Sequence, residues 1–226
     1  MTDTRAAILD RIRRAHGRGA LPADAQARLR QGLAAPQPRL VPARARLDHD
    51  AQVTLFADMA QAVAATVVRV AGWAAVPEAV ADYLKGHNLP TELAVAPDAR
   101  LDGVAAHGLF TARRGAALPQ DVVGVSAAFA GIAETGTLLL VSGPETPTSL
   151  NFLPDVHVVA VAASDIGGTY EDAWARLRTR FPQTLPRTVN LITGPSRTGD
   201  IEQTIQLGAH GPRRLHIVLV DDRATA

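Results

Sequence analysis

Residues 156–162 read VHVVAVA, an apolar run rich in β-branched side chains and interrupted only by His157. A strand with one wet face alternates polar and apolar residues, so an unbroken run points to a strand covered on both faces. Runs of the same kind recur at Val122–Ser126, Thr137–Ser142, Thr188–Thr193 and Leu215–Val220, with shorter strands expected over Thr66–Val70 and Leu93–Ala96. Helical patterns lie between them: 48–65, with Val53, Phe56, Ala60 and Val63 on one stripe, then 77–86 ending at Gly86, 169–180 and 200–207. Strands separated by helices imply right-handed crossovers. The expected fold is therefore α/β, with a Rossmann-like, mostly parallel sheet flanked by helices.

Ahead of this body the chain changes character. Residues 3–16 have helical spacing of Ala6, Leu9 and Ile12 with arginines opposite, and a weaker helix is expected over 23–33. The stretch AAPQPRLVP at 34–42, with three prolines, reads as a linker. The expected division is an N-terminal helical arm over 1–46 and a main domain over 47–226. Residues 1–50 carry ten Arg and five acids, net +5, whereas the remainder is net −4 and the whole chain +1. An overall charge near zero gives no field to steer the chain toward nucleic acid. The basic arm suits an acidic partner, although solvated helix faces account for its arginines equally simply.

Cysteine is absent, which excludes disulfides, thiolate nucleophiles and cysteine-ligated iron–sulfur clusters within these 226 residues. No apolar run approaches the ~20 residues that span a bilayer, so membrane insertion is not expected. The first residues lack a continuous apolar segment of secretory type, and the expectation is a cytoplasmic protein. The histidines show no metal-ligand spacing, so no metal site is expected.

The chemistry concentrates at 192–211, ITGPSRTGDIEQTIQLGAHG. A strand that turns through Gly194, Ser196 and Thr198 into a helix would offer free backbone N–H groups and the positive end of a helix dipole to an anion. Arg197 adds a planar donor fork suited to carboxylate or phosphate. Capping explains the same residues without a ligand, since Thr198 and Asp200 can accept N–H bonds and Asp200 with Gln203 has capping-box spacing. In a parallel sheet, ligands bind beyond the carboxyl ends of the strands. On this reading the 194–199 turn belongs to that edge, together with Ser142–Gly143 and the 103–107 loop. Neither G-x-G-x-x-G nor G-K-[ST] is present in the turn.

Three further residues are candidates. Glu134, in GIAETG at 131–136, is a lone acid between apolar strands. Burial would raise its pKa and suit it to acid–base or nucleophilic work, while a turn carboxylate accepting backbone N–H bonds is the plainer account. His157 on a buried strand reads first as a core residue. His210, between Gly208 and Gly211, could close a pocket or cap a helix end.

The segments GIAETGTLLLVSG at 131–143, LNFLPDVHVVAV at 150–161 and TGPSRTGDIEQTIQLGAHGPRRLHIVLV at 193–220 together resemble the LUD-domain family, and within it the LutC-type (YkgG-type) lactate-utilisation proteins. The resemblance implies a fold similar to the NagB/RpiA/CoA-transferase-like superfamily. It further implies the LutC-type role in a three-component cytoplasmic system that oxidises L-lactate to pyruvate. The iron–sulfur clusters of that system reside in LutA-type and LutB-type subunits, so this chain would hold no cofactor itself. Glu134, His157, Gly194, Ser196, Arg197, Thr198, Asp200 and His210 all fall within the matching motifs. E-T-G also resembles the E-x-G neighbourhood of CoA transferases, whose Glu is a nucleophile. Three functions follow as expectations. The first is a cluster-free subunit binding a small carboxylate or other anion at 194–199. The second is a stand-alone isomerase or acyl/CoA-transferase-like enzyme using Glu134. The third is a non-catalytic scaffold whose arm holds the iron–sulfur subunits. Homo-oligomerisation is compatible with the sequence, which does not fix the number of copies.

Overall fold

The computed structural model describes residues 3–17, 19–36, 40–198 and 206–223. The chain forms two compact units, Met1–Leu40 and Val41–Ala226, dividing inside the Pro-rich stretch. The first unit holds α1 (Thr4–Ala15) and α2 (Ala23–Ala34). Asp3 caps α1 by accepting the Arg5 N–H at 3.0 Å, and Arg13 and Arg14 occupy its last turn, where cations suit the helix dipole. Neither helix buries a side chain.

The second unit runs α3 (His49–Ala62), β1 (Thr66–Val70), α4 (Val76–Gly86), β2 (Glu92–Val95), α5 (Asp102–Ala105), β3 (Thr111–Arg114), β4 (Val123–Ala127), β5 (Ala130–Ile132), β6 (Thr137–Val141), β7 (Val156–Ala162), β8 (Ile166–Gly167), α6 (Tyr170–Arg180), β9 (Val189–Ile192), β10 (Arg197–Thr198), β11 (Gln206–Leu207) and β12 (Arg214–Val220). Six strands form one parallel sheet in the order β1-β12-β7-β4-β2-β3. Every residue of β4 and β7 is buried, which is why both strands read as continuous apolar runs. One face packs on α4 and α5 through Val80, Leu84, Val104, Val125 and Val158. The opposite face packs on α3 through Val53, Phe56, Val159, Ile217 and Leu219.

A second sheet, β8-β5-β6-β9, was not expected from the sequence. The chain leaves the parallel sheet after β4 to make the antiparallel β5–β6 hairpin and returns as β7. It leaves again for β8, α6 and β9 before closing with β12. The runs at 137–142 and 188–193 are therefore strands of this mixed sheet, not of the parallel one. The helix expected over 200–207 is also corrected in part. Gln206 and Leu207 are extended and pair antiparallel with Thr198 and Arg197, and the rest of that span lies outside the described residues.

α3 joins the two sheets. Gly131 lies against the Phe56 ring, with room for a Cβ only 3.0 Å from it. Gly136 has φ +64°, and a Cβ there would stand 2.2 Å from the backbone nitrogen of Ala60. Both the left-handed conformation and the helix backbone require glycine. Gly136→Ala should therefore lower unfolding stability by about 2 kcal/mol or more, read as a lower urea midpoint at unchanged m-value. An unchanged midpoint would show that α3 can shift off the hairpin without loss.

Candidate functional site

The 193–197 turn departs from β9 and crosses to the amino ends of β7 and β12, where it forms one wall of a cleft of about 290 Å3. Asn151, Phe152 and His157 supply the approach to β7, and His210, Gly211, Pro212 and Leu215 the approach to β12. The turn thus lies at the amino edge of the parallel sheet rather than the carboxyl edge expected from sequence. The cause is the strand before it: β9 pairs antiparallel on β6, so its carboxyl end points the opposite way from the expected one. Of the two loops expected at the carboxyl edge, Ser142–Gly143 does lie there, beside Ala127 at the end of β4.

Backbone bonds tie the two loops of the cleft together. Ser196 N–H donates to the Pro212 carbonyl at 2.8 Å, Gly208 N–H to the Ser196 carbonyl at 3.0 Å, and His210 N–H to Ser196 Oγ at 3.2 Å. Ser196 is in this way a brace between the loops. Gly194, at φ +72°, passes so close to the C-terminal end of α3 that a Cβ would meet the Val63 carbonyl oxygen at 2.4 Å. Arg197 and His210 are exposed on the rim. Thr198 is buried in β10 and does not line the cleft, and Asp200 lies outside the described residues.

His157 forms part of the wall although its residue surface is 0 % exposed. Its Nε2 is 2.7 Å from Ser126 Oγ on the neighbouring strand, while Nδ1 has no partner among the described residues. Burial pushes its pKa down to about 3, so the ring is neutral at physiological pH. A neutral imidazole held at one nitrogen presents one donor or one acceptor at the other, according to tautomer.

Glu134 is not brought into this cleft. It is buried, and its Oε1 accepts the Tyr170 N–H at 2.9 Å at the start of α6, the turn-carboxylate arrangement. Its neighbours do reach the site through hydroxyls. Thr137 Oγ1 lies 2.7 Å from Thr135 Oγ1, 3.0 Å from the Tyr170 hydroxyl and 2.6 Å from Thr193 Oγ1, and Thr193 lines the cleft. Sequence reasoning passed over Thr137, Thr193, Tyr170, Ser126 and Asn151. Hydroxyl and amide residues inside strands and turns carry no periodic signal of their own, so only the fold brings them together. Among the described residues no group of three His, Asp or Glu side chains is placed to hold a metal ion, and no helix is long and apolar enough to cross a membrane.

A family model described as the LUD domain matches residues 53–220. An uncharacterized protein of Neisseria meningitidis serogroup B is 41% identical over 97 residues, covering 43% of this chain and 41% of that protein. The lactate utilization protein C of Bacillus subtilis is 34% identical over 106 residues, 46% of this chain and 44% of the relative. The chain thus spans less than half the length of these curated relatives. The crystal structure of a DUF162 family protein from Deinococcus radiodurans aligns with a TM-score of 0.61 at 20% identity, over 77% of this chain and 99% of the other, a likeness of fold.

A second buried histidine shares the acid sensitivity of the first. His216 is stacked 3.8 Å from the Tyr83 ring, and its pKa is pushed down to about 4, by burial first and then by His87. Depressed values mean that the folded state binds fewer protons, so stability is fully present above about pH 6.5 and lost as pH falls toward 4 and 3. Between pH 7.5 and 5 each histidine should withdraw about 2 kcal/mol, seen in urea unfolding, and His157→Gln should remove roughly half of that slope. Retention of the full slope in His157→Gln would place the titration elsewhere.

Proposed function

Because the chain belongs to the LUD-domain family, we propose that it is the cluster-free subunit of an iron–sulfur system oxidising L-lactate to pyruvate, and that its amino-edge cleft holds a small carboxylate. The observation that carries the site is the fully buried His157 with an unpartnered Nδ1, in a cleft that Arg197 also lines. An unpaired buried ring nitrogen costs about 1–3 kcal/mol, and a ligand that reached it from the cleft would remove that cost. Arg197 supplies the charge for a carboxylate, and His157 the single hydrogen bond that a 2-hydroxyl or 2-oxo oxygen can take. Relatives named lactate utilization protein C support the choice of substrate.

Oxidation of lactate at C2 releases two electrons and two protons. With no cysteine in this sequence to ligate a cluster, the electrons would pass to clusters in LutA-type and LutB-type partners in the cytoplasm. The stand-alone alternative through Glu134 has weaker support, since that carboxylate is engaged with the N-terminus of α6 and does not line the cleft.

Deletion of the gene in the source organism should abolish growth on L-lactate, and Arg197→Ala should restore it poorly. Purified Arg197→Ala should bind L-lactate or pyruvate about tenfold or more weakly than the parent chain by calorimetry. Normal growth of the deletion strain would overturn the lactate role, whereas full rescue by Arg197→Ala would overturn only the site.

A further inference from the structure

The opposite edge of the parallel sheet carries a second cleft, of about 410 Å3, which is within the size range of small-molecule sites. Ala127 at the end of β4 and Asp98 just beyond β2 place it at the carboxyl ends of the parallel strands, where open α/β sheets receive ligands. Its walls are apolar on one side, with Phe129, Val141, Pro144 and Phe181. Its polar groups differ sharply in what they have left to give.

Arg100 is already neutralised. Its Nε lies 3.1 and 3.2 Å from the two carboxylate oxygens of Asp98, its Nη2 is 2.7 Å from one of them, and the guanidinium covers the Trp73 ring at 5.2 Å. Arg176, in an adjoining cleft, is paired with Asp165. The hydroxyl of Thr146 donates to the Val141 carbonyl, and Ser142 Oγ accepts the Thr188 N–H. Arg180 is different. It is exposed at the end of α6, stands 5.3 Å over the Phe181 ring, and has no acidic partner among the described residues. Glu145, also in the lining and exposed, makes no ion pair with it. A single unmatched cation beside apolar walls, with a carboxylate elsewhere on the same rim, favours one negative charge on the ligand and penalises a second.

We propose that this carboxyl-edge cleft is a second binding site, separate from the lactate-type site, and that it takes an organic monocarboxylate with an apolar body. Arg180 holds the carboxylate, Phe129, Phe181 and Val141 receive the body, and Glu145 discriminates against dianions.

Ligand-observed NMR titration of the full chain tests this with benzoate, acetate and phenyl phosphate. Benzoate should bind in the millimolar range, acetate at least tenfold more weakly for want of the apolar body, and phenyl phosphate more weakly than benzoate. Arg180→Ala should weaken benzoate about tenfold or more, Glu145→Gln should improve phenyl phosphate severalfold, and Arg197→Ala should change neither. Arg180 and Glu145 are both exposed, so these variants should unfold at the parental temperature. No benzoate binding, or binding indifferent to Arg180→Ala, would overturn the site. Loss of benzoate in Arg197→Ala would move it to the amino-edge cleft. Acetate binding as well as benzoate would overturn the apolar walls, and phenyl phosphate binding more tightly would overturn the monoanion preference. The lactate reading stands or falls separately, on lactate binding and Arg197.

Discussion

The seating of α3 on the β5–β6 hairpin is the contact from which the rest of the second unit is built. Val53, Phe56 and Ala60 are buried together with Leu138 and Leu140 of the hairpin and with Val159, Ile217 and Leu219 of the parallel sheet, so one helix face is shared by both sheets. The close approach rests on Gly136, which leaves no room for a side chain against the α3 backbone, and on Gly131, where a Cβ would crowd the Phe56 ring at 3.0 Å. With β6 fixed, the register Leu138 to Ile192 and Val141 to Val189 fixes β9. The end of β9 then delivers Thr193 to Arg197 to the cleft, and Val63, the residue that follows α3, closes over Gly194. Core packing and site geometry are consecutive steps along one path. A substitution at Gly136, remote from the cleft in sequence, acts on the residues that line it.

This path also explains why the two edges of the parallel sheet differ in chemistry. The amino edge receives loops that are braced by backbone bonds through Ser196, and its distinctive polar group is a buried, neutral ring. The carboxyl edge receives the end of α6, and its distinctive group is an exposed arginine at a helix terminus, where a cation is at ease with the helix dipole. A ligand at the first edge would gain from satisfying a group already shielded from water. One at the second would depend on a charge that solvent and salt screen. As proposed sites, the two clefts therefore differ in dielectric as much as in shape.

Much of this was legible in the sequence. Two-sided burial gives β7 and β12 their unbroken apolar runs, and β1 and β7 begin and end where the pattern places them. The assignment of strands to sheets was not legible, because TLLLV in β6 is equally apolar whichever sheet it joins. β5, β8, β10 and β11 are two or three residues long, too short to show a period, and β3 reads TARR because it is an edge strand. The helical spacing that ran through Gln206 and Leu207 gave way to pairing with β10, a tertiary contact that local pattern cannot encode. At the site, the residues from Gly194 to Arg197 with His157 and His210 do converge, while the edge on which they converge was misread with the sheet of β9. Glu134 was readable as a buried acid. Its role at the start of α6 depended on where Tyr170 would lie, thirty-six positions further on.

The two buried histidines show how a similar deficit can have different meanings. Each has one ring nitrogen bonded to a hydroxyl, Ser126 for His157 and Thr66 for His216, and each leaves the other nitrogen unpartnered among the described residues. Both deficits subtract from stability by a comparable amount. His216 is packed against Tyr83, with ring planes within 9° of parallel, and lines neither cleft, so its cost is fixed by the fold. His157 lines the amino-edge cleft, and a ligand that bonded to Nδ1 would remove the cost only in the folded state. Such a ligand would stabilise the protein in proportion to its occupancy, over and above any charge contact with Arg197. Of the two buried histidines that leave a ring nitrogen unpartnered among the described residues, only His157 lines a cleft, so only there would a ligand be able to turn the missing bond into affinity.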